Sequence, residues 1–159
     1  MDELDILSRA MKLEQDGEQF FRKAAEQSSD PQTQKIFLTL AGDEKKHFEY
    51  IEREYNALKE GRPLEPIPDL DAIEAIDVAK PIFPKGVKPL DTLPQNPSEE
   101  DALLFGLGVE VQTFELYSDS ANQTSNASAK ELFQKMAVVE RGHFDLLMTR
   151  YEARFSYPR

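Results

Sequence analysis

Apolar residues recur along four stretches of this chain at the three-and-four spacing of a helix face. Leu7, Ala10, Phe21 and Ala25 mark the first, and Phe37, Leu40, Ile51 and Leu58 the second. Leu103, Leu107, Phe114, Tyr117 and Ala121 mark the third, and Phe133, Met136, Leu147 and Tyr151 the fourth. No strand-like alternation persists, so the pattern predicts four long helices over about 3–28, 31–60, 98–124 and 127–155. Breaks between them carry capping residues: Asp30 before Pro31, Ser98 before three acids, and Asn126. Gly61 fits the position just past the second helix. Eight of the ten prolines fall between Pro63 and Pro97, which makes 62–97 a long connection, with a short helix expected over Asp69–Ala79. A helix of about 27 residues is roughly 40 Å long, and some 35 residues cross that easily. The expected fold is all-α: two helical hairpins joined by a long crossover into a four-helix bundle. Ile67, Leu70, Ile73, Ile76, Val78, Ile82 and Phe83 imply that the crossover packs on the bundle.

Each apolar stripe is interrupted near its middle. Glu14 breaks the first, Glu44 and His47 the second, Glu110 the third, and Glu140 and His143 the fourth. These interruptions repeat: shifting the chain by 96 residues puts Glu14 on Glu110, Glu44 on Glu140 and His47 on His143. The caps Asp30 and Asn126 coincide too, as do Phe37 with Phe133 and Phe48 with Phe144. An internal repeat of this kind implies a pseudo-twofold axis. Four ionised carboxylates in a bundle core are costly unless paired. No Lys or Arg lies at their level on the stripes. Two divalent cations would balance four carboxylates and leave both histidines neutral. One Glu from each of two helices, with Glu-x-x-His from each of the other two, is the donor pattern of dinuclear carboxylate bundles. Nitrogen and oxygen donors without sulfur suit iron, manganese or zinc.

Composition narrows the alternatives. The 159 residues suit one domain over 1–159. There is no cysteine, which excludes thiolate metal sites and disulfides within this sequence. The net charge of −11 argues against a nucleic-acid partner. No apolar run approaches the length of a membrane span, and the start lacks a signal-peptide core, so a cytoplasmic location and no membrane partner are expected.

The paired Glu and Glu-x-x-His positions, with Phe21 and Tyr117 seven residues after Glu14 and Glu110, resemble the rubrerythrin family of the ferritin-like superfamily. The resemblance covers both hairpins. It implies a ferritin-like bundle with a di-iron centre, oxidoreductase chemistry with oxygen or hydrogen peroxide of use against oxidative stress, and homodimers. Ferrous iron oxidation belongs to the same leading expectation; metal binding and iron storage without turnover is the alternative. By resemblance, Glu44 and Glu140 bridge, Glu14 and Glu110 are terminal or switching ligands, and His47 and His143 each bind one metal.

Three departures accompany the resemblance. Rubrerythrins proper carry a rubredoxin domain whose iron is held by cysteines alone; this chain has no cysteine, so an external donor, rubredoxin-like or another reductase, is expected. The family's additional glutamate, one turn after the third-helix ligand, is Thr113 here, with Gly17 as its repeat mate. Phe21 replaces the tyrosine of the first half, leaving Tyr117 to hydrogen-bond near the site. In a ferritin-like arrangement, Asp43 would orient His143, while Val139 leaves His47 without the matching partner. Gly17 and Gly142, within a turn of these residues, are expected to permit close helix packing, with room for a substrate as the alternative.

Overall fold

Each long helix starts where the sequence supplies an acceptor for its free amides. The computed structural model describes residues 2–155; Met1 and 156–159, the ends of the expected 1–159 domain, lie outside the described residues. Helix α1 spans Glu3–Gln27, with Asp2 accepting from the Asp5 N–H at 2.8 Å. Helix α2 spans Pro31–Lys59, capped by Asp30 accepting from Thr33 N–H at 2.8 Å. After the short α3, Pro68–Asp71, comes α4, Glu99–Gln123, opened by a reciprocal pair between Ser98 and Asp101. Helix α5 spans Ala127–Arg154, capped by Asn126. Helix α2 ends with Arg62 N–H bonding the Ala57 carbonyl at 2.8 Å and Gly61 N–H the Leu58 carbonyl at 3.2 Å. That closure needs the left-handed backbone that Gly61 supplies at φ +73°. All four long helices end within one residue of the ranges expected from sequence.

The short helix does not reach Ala79. It closes a single turn, and the chain then runs extended. One turn is too short to be stable on its own, so tertiary contacts decide the path. Asp77 accepts from Gln134, the Ala79 carbonyl accepts from Arg141, and Lys80 pairs with Glu115. Ile67, Leu70 and Val87 are buried, and Ile73, Val78 and Phe83 are partly so. Ile76 and Ile82, expected to pack, are exposed at 43% and 81%.

The direction of the helices explains why the crossover is long. Thr124, at the end of α4, bonds Glu3, at the start of α1, so α1 and α4 are antiparallel. Arg150, near the end of α5, bonds Asp30 before α2, so α2 and α5 are antiparallel too. Helices α2 and α4 therefore run the same way, and the chain must return the full length of the bundle between them. Within the bundle the stripes are buried as expected, except that Leu58 is only partly covered. The core divides into two apolar layers. One holds Leu7, Ile51, Phe114 and Phe133; the other holds Phe21, Phe37, Leu103 and Leu147. Among the described residues, no helix is long and apolar enough to cross a membrane.

Two helical glycines have opposite surroundings. A Cβ at Gly106 would lie 3.0 Å from the Phe21 ring, which is fully buried, so Gly106 lets α4 approach α1 closely. A Cβ at Gly142 would meet nothing within 4 Å, so the close packing expected there is absent. At Gly17 the same atom would make only ordinary contact, 3.5 Å from Glu44. Gly106→Ala is expected to destabilise by about 1–2 kcal/mol net, because crowding the Phe21 ring outweighs the helix-propensity gain. Gly142→Ala is expected to stabilise by about 0.5–1 kcal/mol. Urea unfolding of the two variants checks both signs.

Candidate metal centre

A polar cluster lies in the bundle interior, where the four stripes converge. Each of its residues sits on a long helix flanked by apolar neighbours one turn away, so forming the helix and burying its stripe forces the side chain inward. Glu14, Glu110 and Glu140 have no solvent exposure and Glu44 has 1%. His47 and His143 complete the cluster, with ring centroids 5.6 Å apart and planes 11° from parallel. The structure thus brings together all six positions singled out from sequence.

They form two sets of four. Glu14, Glu44, His47 and Glu140 each place one donor atom within 4.8 Å of the others, and so do Glu44, Glu110, Glu140 and His143. The sets share Glu44 and Glu140 and are images of each other under the 96-residue repeat. Distances follow the same symmetry. His47 Nδ1 lies 3.5 Å from Glu14 Oε2, and His143 Nδ1 lies 3.5 Å from Glu110 Oε2. His47 Nδ1 is 3.2 Å from Glu140 Oε1, and His143 Nδ1 is 3.4 Å from Glu44 Oε1.

Those separations suit a shared cation better than direct hydrogen bonds. Donor atoms about 2.1 Å from one ion sit roughly 3.0–3.4 Å from each other in octahedral or tetrahedral arrangements. His143 Nδ1 has three carboxylate oxygens at 3.4–3.5 Å and no hydrogen-bond partner. Buried polar atoms are normally satisfied. Among the described residues seven buried side-chain atoms are not, and six belong to this cluster: Glu14 Oε2, Glu44 Oε1, both oxygens of Glu110, Glu140 Oε2 and His143 Nδ1. The donor set, its charge and its unpaired atoms fit a dinuclear metal site.

Without cations the cluster must hold protons. Burial, and then the neighbouring carboxylates, push Glu14, Glu44 and Glu110 well above the usual carboxylate range. Burial acts on Glu140 in the same direction, but the neighbouring Glu110, His143 and His47 outweigh it and hold Glu140 well below that range. For His143 burial favours the neutral ring, yet Glu110 and Asp43 reverse that and raise it well above the ordinary value. His47 is raised as well: burial lowers it, and Glu140 more than compensates.

Two hydrogen bonds break the symmetry. Tyr117 donates to Glu14 Oε1 at 2.7 Å, whereas its mate Phe21 has no hydroxyl to offer Glu110. Both oxygens of Glu110 accordingly lack a partner. Asp43 Oδ2 lies 3.2 Å from His143 Nε2, which directs Nδ1 inward. Its mate Val139 packs on the apolar core and offers His47 nothing polar. Thr113, in place of the family's additional glutamate, is buried and donates to the Val109 carbonyl at 3.1 Å. Glu54 is a buried carboxylate that the stripes do not predict. Its Oε2 accepts the Glu65 N–H at 3.2 Å, tying the crossover to α2. Its spacing of seven residues from His47 is the sequence signal that places it on the same side of α2.

A family model described as Rubrerythrin matches residues 5–151. No curated protein and no solved structure matches the chain.

The raised groups set a pH dependence for the chelator-stripped protein. A group whose folded value is raised contributes stability below its unfolded value and loses it as pH rises through the folded one. Glu14, Glu44, Glu110, His47 and His143 are all of this kind, and Glu140 alone opposes them. The stripped protein is expected to lose thermal stability as pH rises from about 5 to 8. Adding a divalent metal should reverse that trend and release protons. Melting curves at pH 5.5 and 8.0, with and without metal, check both.

Proposed function

We propose a function from the premise that this chain belongs to the rubrerythrin family: it holds a di-iron carboxylate centre that reduces hydrogen peroxide, with electrons from an external donor. The observation that carries the reading is the pair of donor sets sharing Glu44 and Glu140. In this reading Glu44 and Glu140 would be shared by two ions, Glu14 and His47 would help hold one, and Glu110 and His143 the other. Two ferrous ions would supply the two electrons that convert one H2O2 and two protons into two waters.

The chain's own residues prepare the site for this. Tyr117 holds one oxygen of Glu14 and leaves the other free toward His47. Asp43 fixes the tautomer and tilt of His143 from its outer nitrogen. The two apolar layers exclude bulk water, which strengthens every charge interaction between them. Glu110, with neither oxygen hydrogen-bonded, is the carboxylate freest to hold a proton within the cluster. These 159 residues hold no cysteine for a rubredoxin-type iron, and in this reading an external donor supplies the electrons.

One observation favours a second reading. The additional glutamate of rubrerythrins is absent, and Thr113 is engaged with the backbone. A centre limited to six protein ligands also suits ferrous iron oxidation, or metal binding without turnover.

Metal analysis and rapid mixing distinguish these. The peroxidase reading expects about two iron ions per chain. It also expects the anaerobic ferrous protein to consume about one H2O2 for every two ferrous ions, faster than it reacts with O2. Glu140→Ala should lose most bound iron and with it the peroxide reaction. Two zinc ions per chain and no response to peroxide would reject redox function. Cage-sized particles accumulating ferric iron would favour storage.

A further inference from the structure

The cluster is sealed unevenly. Its four carboxylates are at most 1% exposed, while His47 and His143 keep 5% and 7%. Asp43, against the outer nitrogen of His143, is only half-buried. Contact with solvent therefore lies on the histidine side. On α2, Asp43, His47, Tyr50 and Glu54 follow the spacing of one helix face; on α5, Val139, His143, Leu146 and Arg150 do the same. The two faces meet through the stacked histidine rings and the 3.2 Å Asp43–His143 contact.

This seam is fastened at both ends, and the part-exposed Asp43 and the slightly exposed histidines lie between them. At one end Arg150 bonds Asp30 at 2.7 Å and also Gln32 and Thr33. At the other, the crossover segment 64–71 borders both helices and buries Ile67 and Leu70, with Tyr50 bonded to Asp69. Over their whole length, α2 and α5 approach each other less than any other neighbouring pair of long helices. The opposite side is shut: Phe20 packs on Phe21 and Phe105 at 5.0 and 4.7 Å, and Gly106 draws α4 onto Phe21. The remaining two sides are the tightly packed hairpins α1–α2 and α4–α5.

We infer that divalent metal ions reach and leave the buried cluster through this window in the α2–α5 seam, passing Asp43 and the His47–His143 pair, with Leu146 at its rim. A dication cannot cross an apolar layer without replacing its water by other ligands. Along the ends of the bundle it would meet only such layers. Through the window it meets a carboxylate, then two imidazoles, then the four glutamates, so each water lost finds a protein donor. Leu146 follows His143 by one turn on the same face and is 37% exposed, which places bulk at the opening without a ligand role.

The inference rests on the metal-centre reading, and Co²⁺ uptake by the chelator-stripped full chain tests the two separately. Stopped-flow absorbance follows entry, EDTA-driven loss follows exit, and titration gives stoichiometry and affinity. Leu146→Trp is expected to slow entry and exit together by at least about fivefold, with stoichiometry and affinity unchanged. Leu146→Ala, which adds no bulk and cannot clash, is expected to speed both. Wild-type rates in the tryptophan variant overturn the window. If that variant does not fold, wild-type rates in the alanine variant do so. Failure of the wild-type protein to bind Co²⁺ at all overturns the metal-centre reading and the window with it.

Discussion

Four glutamates buried in one small volume are the constraint on which the rest of this structure depends. Leaving ionised carboxylates in a low-dielectric interior costs several kcal/mol each, even after relaxation. The protein reduces that cost only in part. Tyr117 and the histidines satisfy some oxygens, and the others face one another without partners. A purely structural interior would not keep such an arrangement, because apolar residues of the same volume would pack there at no electrostatic cost. The cluster is therefore a reservoir of strain that protons relieve in one state and cations in another. The helices around it are long enough to set an apolar layer on each side, and those layers hold the carboxylates in place.

The repeat gives the cluster its symmetry, and a few substitutions remove part of it. Exchanging tyrosine for phenylalanine at position 21 leaves Glu110 without the hydrogen bond that Glu14 has. Asp43 and Val139 occupy equivalent places, yet only Asp43 can hold a ring nitrogen. One half of the centre thus has a fixed carboxylate, and the other a fixed imidazole. Two cations need not be held alike at two positions whose ligands are fixed differently.

The crossover has a mechanical role as well as a topological one. Because α2 and α4 run in the same direction, the chain must traverse the bundle between them. On the way it is fastened by Asp77, Ala79 and Lys80 to α4 and α5. Its first part also closes one end of the α2–α5 seam, and Glu54 is buried beneath it by accepting the Glu65 amide. Thr113 illustrates the opposite case, a buried polar side chain engaged with its own helix backbone.

Much of this protein is legible in its sequence, for local physical reasons. Caps at Asp30, Ser98 and Asn126 and the spacing of the apolar stripes fix the helices, because amide capping and helical periodicity act over a few residues. The six cluster residues stand out because a charged side chain in an apolar stripe has no local explanation, and the 96-residue repeat shows the anomaly twice. Tyr117 and Asp43 follow once the symmetry is assumed. The crossover was legible only in part: its extent and the packing of Ile67, Leu70, Ile73, Val78 and Phe83 follow from sequence, but a single-turn α3 replaces the expected helix over Asp69–Ala79, and Ile76 and Ile82 are exposed. The differing surroundings of Gly106 and Gly142 and the sparse contact between α2 and α5 were not legible. Those depend on which side chains meet across helices far apart in the chain. Sequence by itself determined the helices and the identity of the buried donors; only the tertiary structure decided which donors are shared, which are left unpaired and where solvent reaches them, because these are properties of distances between helices rather than of spacing within one.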